Sequence, residues 1–259
     1  MDLNSTFWVA GIVAEVALVG LLFYRRVWRL LPVFCVYCAW VLLCDGGNYL
    51  IRTFFLSSYL TTYLAETGMD TALEFGVLVE LAWSVLRPLR SSLPLGALVW
   101  VGILIAGAGV AIWPFSSVHA IGVMSPQWQI LLRLQQTSSV LRIAFFLVLA
   151  ACSQLLSIGW RDRELQVATG LGLYSFISLT VEILHTHAAM QQHYRLLNQF
   201  VVVSYLFSLL YWAVSFAQQE AQRKEFSPQM QSVLLAVAGA ARNTRIDLSE
   251  SSPGKRRRR

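Results

Sequence analysis

The chain has 259 residues, of which 56% are hydrophobic and only 13% charged, with a formal net charge of +6. A soluble domain carries about 25% charged residues, and the mean hydropathy here is +0.58, so the composition excludes an ordinary soluble globular protein and indicates an integral membrane protein. The pI near 9.4 is accounted for by basic loops and a basic tail, which removes the case for a nucleic-acid partner.

Seven apolar segments, each long enough for a hydrocarbon core of about 30 Å, fall at 7–24, 30–50, 63–86, 93–113, 130–156, 165–185 and 197–217. The predicted fold class is therefore all-α: a polytopic bundle of seven transmembrane helices over 1–217, followed by a tail over 218–259. The connections are too short to fold as soluble domains. Arg25, Arg26 and Arg29 follow the first segment, Arg87 and Arg90 the third, and Arg161 and Arg163 the fifth. Nearly all other basic residues follow the seventh, and the alternate loops hold only Arg52 and Arg195. Because Lys and Arg are retained on the cytoplasmic side, this alternation predicts an external N-terminus and a cytoplasmic C-terminus. The opening MDLNST lacks the basic stretch of a cleavable signal peptide, so the first segment is expected to stay as an anchor. The predicted location is the cell membrane, which in a bacterium is the cytoplasmic membrane.

Taken in order, the first segment carries Glu15 and the second carries Asp45 and Asn48. The second also holds Cys35-Val-Tyr-Cys38, a redox or metal spacing, but with no second pair or neighbouring His it reads as two small packing residues. The third holds Glu66, Asp70, Glu74 and Glu80, which fall within an arc of about 120° on a helical wheel. A charge at the centre of a membrane helix costs about 2.5–3.5 kcal/mol, so these four carboxylates must be protonated, paired or wet. The fourth segment, LPLGALVWVGILIAGAGVAIW, has no ionisable residue. It is expected to be a lipid-facing wall whose glycines pack closely on a neighbour.

On the fifth segment Gln135, Ser138, Ser139 and Arg142 share a face; on the sixth Ser175, Ser178, Glu182 and His185 do; on the seventh Ser204, Ser208, Tyr211 and Ser215 do. Counting 1.5 Å per residue from each end puts Glu74 and Arg142 at similar depth. Arg142 is thus the expected buried partner of Glu74, with Glu80 the alternative, while Arg133 lies on the opposite face and snorkels. One arginine cannot neutralise Glu66, Asp70, Glu74, Glu80, Glu182, Asp45 and Glu15 together. A hydrated, outward-facing acidic pocket for a small cation, a protonated ligand or a proton is the economical solution. His185, His187 and His193, with Glu182 one turn before His185, have the residue types for a divalent metal such as Zn²⁺, although loop histidines at a membrane interface are more often neither ligands nor pH sensors. No other cofactor is implied.

In the tail, QSVLLAVAGAARNTR reads as a short helix lying on the inner leaflet. The end from Lys255 to Arg259 would attract anionic lipids at about 1 kcal/mol per charge.

Seven crossings with an external N-terminus resemble retinal proteins, but a retinal Schiff base needs a lysine in the last helix. The two lysines here, Lys224 and Lys255, both lie in the tail. The chain is similar to seven-helix membrane hydrolases of the progestin-receptor and alkaline-ceramidase type in helix count alone, since their zinc-binding histidines are divided among helices. It is also similar in helix count and orientation to the seven-helix input modules of bacterial signalling proteins, without a shared motif. The leading expectation is a non-enzymatic, sensor- or receptor-like membrane protein that contacts a cytoplasmic protein partner. The alternatives are a proton- or cation-coupled transporter or channel along the third-segment stripe, and a metal-dependent membrane enzyme at Glu182, His185 and His187. Arg87, at the inner end of the stripe, would repel a cation leaving there, which favours a blind pocket over a conduit.

Overall fold

A computed structural model describes residues 3–54, 59–86, 96–115, 126–152, 162–185 and 194–218. Among these, the chain forms α1 (Leu3–Tyr24), α2 (Pro32–Phe54), α3 (Tyr59–Val85), α4 (Ala97–Ile112), α5 (Pro126–Cys152), α6 (Arg163–His185) and α7 (Tyr194–Ala217), with 3-10 turns at Val27–Arg29 and Trp113–Phe115. Each helix overlies one predicted apolar segment, and no described residue is in a strand.

Five stretches are long and apolar enough to cross a membrane: Thr6–Tyr24, Leu98–Phe115, Leu132–Ala151, Arg163–Leu184 and Leu196–Ala217. The apolar run of α2 is shorter, Pro32–Asn48, and α3 is interrupted by its carboxylates. Large apolar side chains such as Val13, Phe23, Leu104, Val110, Phe176, Phe200 and Phe207 point outward and are exposed. An apolar exterior around a partly polar interior inverts the soluble pattern and fits a multi-pass membrane protein.

The helices form a ring: α1 packs on α2 and α7, α2 on α3, α3 on α5, α5 on α6, and α6 on α7. Helix α4 stands outside the ring against α3 and α5, with Trp100 and Leu104 on its uncovered side. Its expected close packing through glycine is not found. A Cβ at Gly102 or Gly107 would meet nothing within 4 Å, and one at Gly109 would lie 4.0 Å from Leu141, an ordinary contact. The reason is that α4 stands off its neighbours across an apolar groove of about 700 Å³, walled by Phe75, Leu78, Ile105, Val110 and Leu141.

The close approaches occur instead on α6. A Cβ at Gly170 would sit 2.2 Å from the Trp212 indole of α7, and one at Gly172 would sit 2.7 Å from Phe146 of α5. Trp212 Nε1 also donates to the Gln166 carbonyl at 3.3 Å, so the indole is seated on α6 by both shape and a hydrogen bond.

The core lies toward one end of the bundle, where α1, α3 and α7 finish and α2 and α6 begin. Val27, Leu31, Phe34, Leu81, Leu165 and Phe216 are fully buried there. Phe34 packs edge-on to Trp212 at 5.2 Å and lies 5.9 Å from Phe216, while the Arg163 guanidinium lies over Phe216 at 5.9 Å. Arg26, in the left-handed region at φ 55°, turns the chain from α1 into the Val27–Arg29 turn. Arg25 then donates to the Ala217 carbonyl at the end of α7. The buried Glu164 carboxylate accepts from Ser84 Oγ at 2.6 Å, joining α3 to α6. Among the described residues this basic end is filled by packed side chains, and the large cavity lies toward the opposite end, which carries the N-terminus.

Candidate functional site: an acidic cavity at the N-terminal end

Helix α3 supplies one acidic wall of that cavity. Glu66, Asp70 and Glu74 are spaced four residues apart and so stand one above another on one face. Each is held by its own donors. Asn48 Nδ2 donates to both oxygens of Glu66 at 2.8 Å, and Trp40 Nε1 donates to Asp70 Oδ1 at 2.8 Å. Glu74 accepts from Ser138 Oγ and is ion-paired with Arg142 Nη1. The Glu74–Arg142 partnership is thus the one expected from depth.

Glu80, the alternative partner, does different work. Its two oxygens accept the backbone N–H groups of Val33 and Phe34, each at 2.8 Å. These are orphan donors in the first turn of α2, whose leading residue, Pro32, has no N–H to satisfy. The carboxylate therefore caps α2 from a neighbouring helix and sits well with the positive end of its dipole. Glu80 is not among the residues that line the cavity described next.

That cavity measures about 470 Å³ and is enclosed by every helix of the ring. Among the described residues its acidic lining is Asp45, Glu66, Asp70 and Glu74, its one basic side chain is Arg142, and Trp8, Tyr37, Tyr63, Tyr174 and Tyr205 supply aromatic surface. Gln135, Ser178, Asn198 and Gln199 add neutral polar groups. Arg142 is buried; its Nη1 donates to Glu74 and its Nη2 to Ser139 Oγ at 3.1 Å, while its buried Nε has no partner among the described residues. Its guanidinium carbon lies 6.0 Å from the centre of the Tyr174 ring, a cation–π distance. The net character of the cavity is acidic because, among the described residues, one cation faces four carboxylates, and Glu66 and Asp70 accept from neutral donors rather than from a cation.

Glu182 lies outside the lining; Gln136 Nε2 donates to its Oε1 at 2.8 Å. The Ser204 and Ser208 stripe of α7 also faces elsewhere: Ser208 Oγ donates to the Gly170 carbonyl at 3.2 Å, and Ser204 Oγ to Val201 at 2.7 Å. It is Asn198, Gln199 and Tyr205 of α7 that face the cavity. Ser175 is wholly buried and its hydroxyl has no partner among the described residues. His185 ends α6, but its side chain, His187, His193, Arg87 and the tail after 218 lie outside the described residues. Among the described residues no group of three or more His, Cys, Asp or Glu is placed to hold a metal ion. Cys35 and Cys38 are free thiols within the hydrophobic core, in line with a packing role.

Tyr37, Trp40, Tyr174 and Tyr205 were not singled out by sequence. A signal for Trp40 existed: donors from Asn48 through Trp40 to Val33 run backward along α2 as acceptors run forward along α3, the register of two antiparallel neighbours. Comparison of the chain with family models, with curated proteins and with solved structures finds no match. The functional reading therefore rests on this geometry.

Proposed function

We propose that the chain is a seven-span, non-enzymatic, sensor- or receptor-like membrane protein whose acidic cavity takes a small organic cation from outside. The observation that carries this reading is the surplus of carboxylates around the cavity, with Arg142 already bound to Glu74. A volume near 470 Å³ falls in the range of small-molecule pockets, about 300–1,000 Å³. Aromatic faces beside carboxylates suit a protonated amine or quaternary ammonium, at about 0.5–2 kcal/mol per cation–π contact.

The orientation follows from the basic residues: Arg25, Arg26, Arg29 and Arg163 gather at the packed end, which by the positive-inside rule is cytoplasmic. The cavity then opens outward, and the packed end supports a blind pocket rather than a conduit. The cytoplasmic turns and the basic tail are the surfaces left for a protein partner and for anionic lipid.

Purified protein titrated with tetraethylammonium or a protonated primary amine, read by tryptophan fluorescence, tests the proposal, since Trp8 lines the cavity and Trp40 binds Asp70. Cations are expected to bind, a neutral isostere not, and Glu66→Gln and Asp70→Asn to weaken binding tenfold or so each, about 1.4 kcal/mol. Equal binding of the neutral isostere, or undiminished binding in the double variant, overturns it. Cation or proton flux in liposomes that Glu74→Gln abolishes would move the assignment to the transporter reading.

A further inference from the structure

Beneath the wall of the acidic cavity lies a second carboxyl group that the cation reading does not use. Glu15 of α1 is 2% exposed. Its Oε1 accepts from the Tyr205 hydroxyl at 2.6 Å, and its Oε2, fully buried, meets no donor among the described residues. Glu15 borders a cavity of about 20 Å³, the size of one water molecule. Tyr37, Val41 and Tyr205 form part of the walls of both this cavity and the large one.

The Glu15 carboxyl lies within side-chain hydrogen-bonding reach of the Asp45 carboxyl, and Asp45 lines the large cavity. Ionised carboxylates only accept hydrogen bonds, so two of them in contact need a proton between them. Among the described residues neither carboxyl is ion-paired, and the one arginine lining the large cavity, Arg142, is paired with Glu74. Of the elements packed against α1, α2 presents Tyr37, Cys38 and Asp45 to this region and α7 presents Tyr205. Arg29 of the 3-10 turn is stacked on Trp28 at the packed end.

We propose that Glu15 and Asp45 form a proton-binding site, holding one proton between the two carboxyls. Tyr205 fixes Glu15, and Asp45 is the member through which the proton exchanges with water in the large cavity. Because both carboxyls are required, one bound proton leaves the pair with a single negative charge, and its loss to cavity water leaves two adjacent negative charges that repel. Like charges in contact disfavour joint ionisation, which makes the pair a one-proton device. The proposal rests on the large cavity being open to water, as the cation reading requires, but not on any cation binding there.

Infrared difference spectroscopy of the purified full-length protein, without added cation, is the test. Subtracting the Glu15→Gln spectrum from that of the wild type at neutral pH is expected to reveal one protonated-carboxyl carbonyl band, and subtracting the Asp45→Asn spectrum is expected to reveal the same band. Tyr205→Phe is expected to keep the band and shift its frequency, which reports on the site even if another variant folds poorly. A band lost in Glu15→Gln but retained in Asp45→Asn means an isolated buried acid and overturns the pair. Absence of any carboxyl band in both differences overturns the proton site. Cation titration of the same samples reads the other proposal separately, so the failure of one is distinguishable from the failure of the other.

Discussion

At the scale of the residue, the decisive contact is between Glu74 and Arg142, whose side chains are 12% and 5% exposed. Removing one member of a buried pair leaves an uncompensated charge and costs about 3–5 kcal/mol, whereas removing both costs much less. Glu74→Gln and Arg142→Gln are each expected to lower thermal stability sharply, with the double variant recovering most of the loss; unfolding in detergent measures this. If the recovered double variant also binds cations as the wild type does, the pair is a clamp between α3 and α5 and takes no part in recognition. Depth alone made this pair legible, because two oppositely charged residues at the same level of a low-dielectric interior have strong reason to meet. Glu80 lies in the same arc of the wheel, yet its role was hidden. A wheel gives the face on which a side chain stands but not the neighbour that the face meets, and here that neighbour is the uncapped start of α2.

Elements are where such neighbours decide outcomes. Glu80→Ala is expected to leave the Val33 and Phe34 amides without their acceptor, at about 1–3 kcal/mol, and to raise hydrogen exchange in the first turn of α2. Tetraethylammonium binding is expected to stay unchanged, since Glu80 does not line the cavity. Glycines give a matched contrast. Gly170→Ala drives a methyl group into Trp212 and is expected to cost about 1–3 kcal/mol by overpacking, while Gly107→Ala on α4 enters open space and is expected to be neutral or mildly stabilising; melting temperatures of the two variants measure the difference. Sequence pointed to the glycines of α4 for close approach and passed over Gly170 and Gly172, because which glycines meet a neighbour is decided only when the neighbouring helix is in place. The serine stripe of α7 misled for the same reason: its hydroxyls bond the α6 and α7 backbone, and the adjacent face bears Tyr205.

For the whole molecule, the asymmetry between a packed basic end and a cavity toward the acidic end gives, in the proposed orientation, a directional prediction. In a background with Cys44 and Cys152 replaced by alanine, Thr67→Cys and Gln199→Cys, at two positions that line the cavity, are expected to react with a membrane-impermeant thiol reagent added from outside. Ser84→Cys, at a buried position near the packed end, is expected to resist it from either side. Labelling of Thr67→Cys only from the cytoplasmic side would reverse the orientation. The helices themselves were legible because apolar run length is a property of the chain in its solvent, independent of which helices touch. The ring order, with α4 left outside it, depends on side-chain shape across the interfaces and was not.

That order bears on how the protein enters a membrane. Helices α3 and α5, joined by the Glu74–Arg142 pair in space, are separated along the chain by α4, the helix with the least polar sequence. During synthesis α3 emerges with Glu74 and no counter-charge, at an insertion penalty of about 2.5–3.5 kcal/mol for each central carboxylate, and α4 follows with no group to relieve it. In the proposed seven-span arrangement α3 cannot settle by its own hydrophobicity. There the charge of Glu74 meets its partner only when α5 brings Arg142 past α4, so the contact that joins α3 to α5 is the last part of the middle of the bundle to be made.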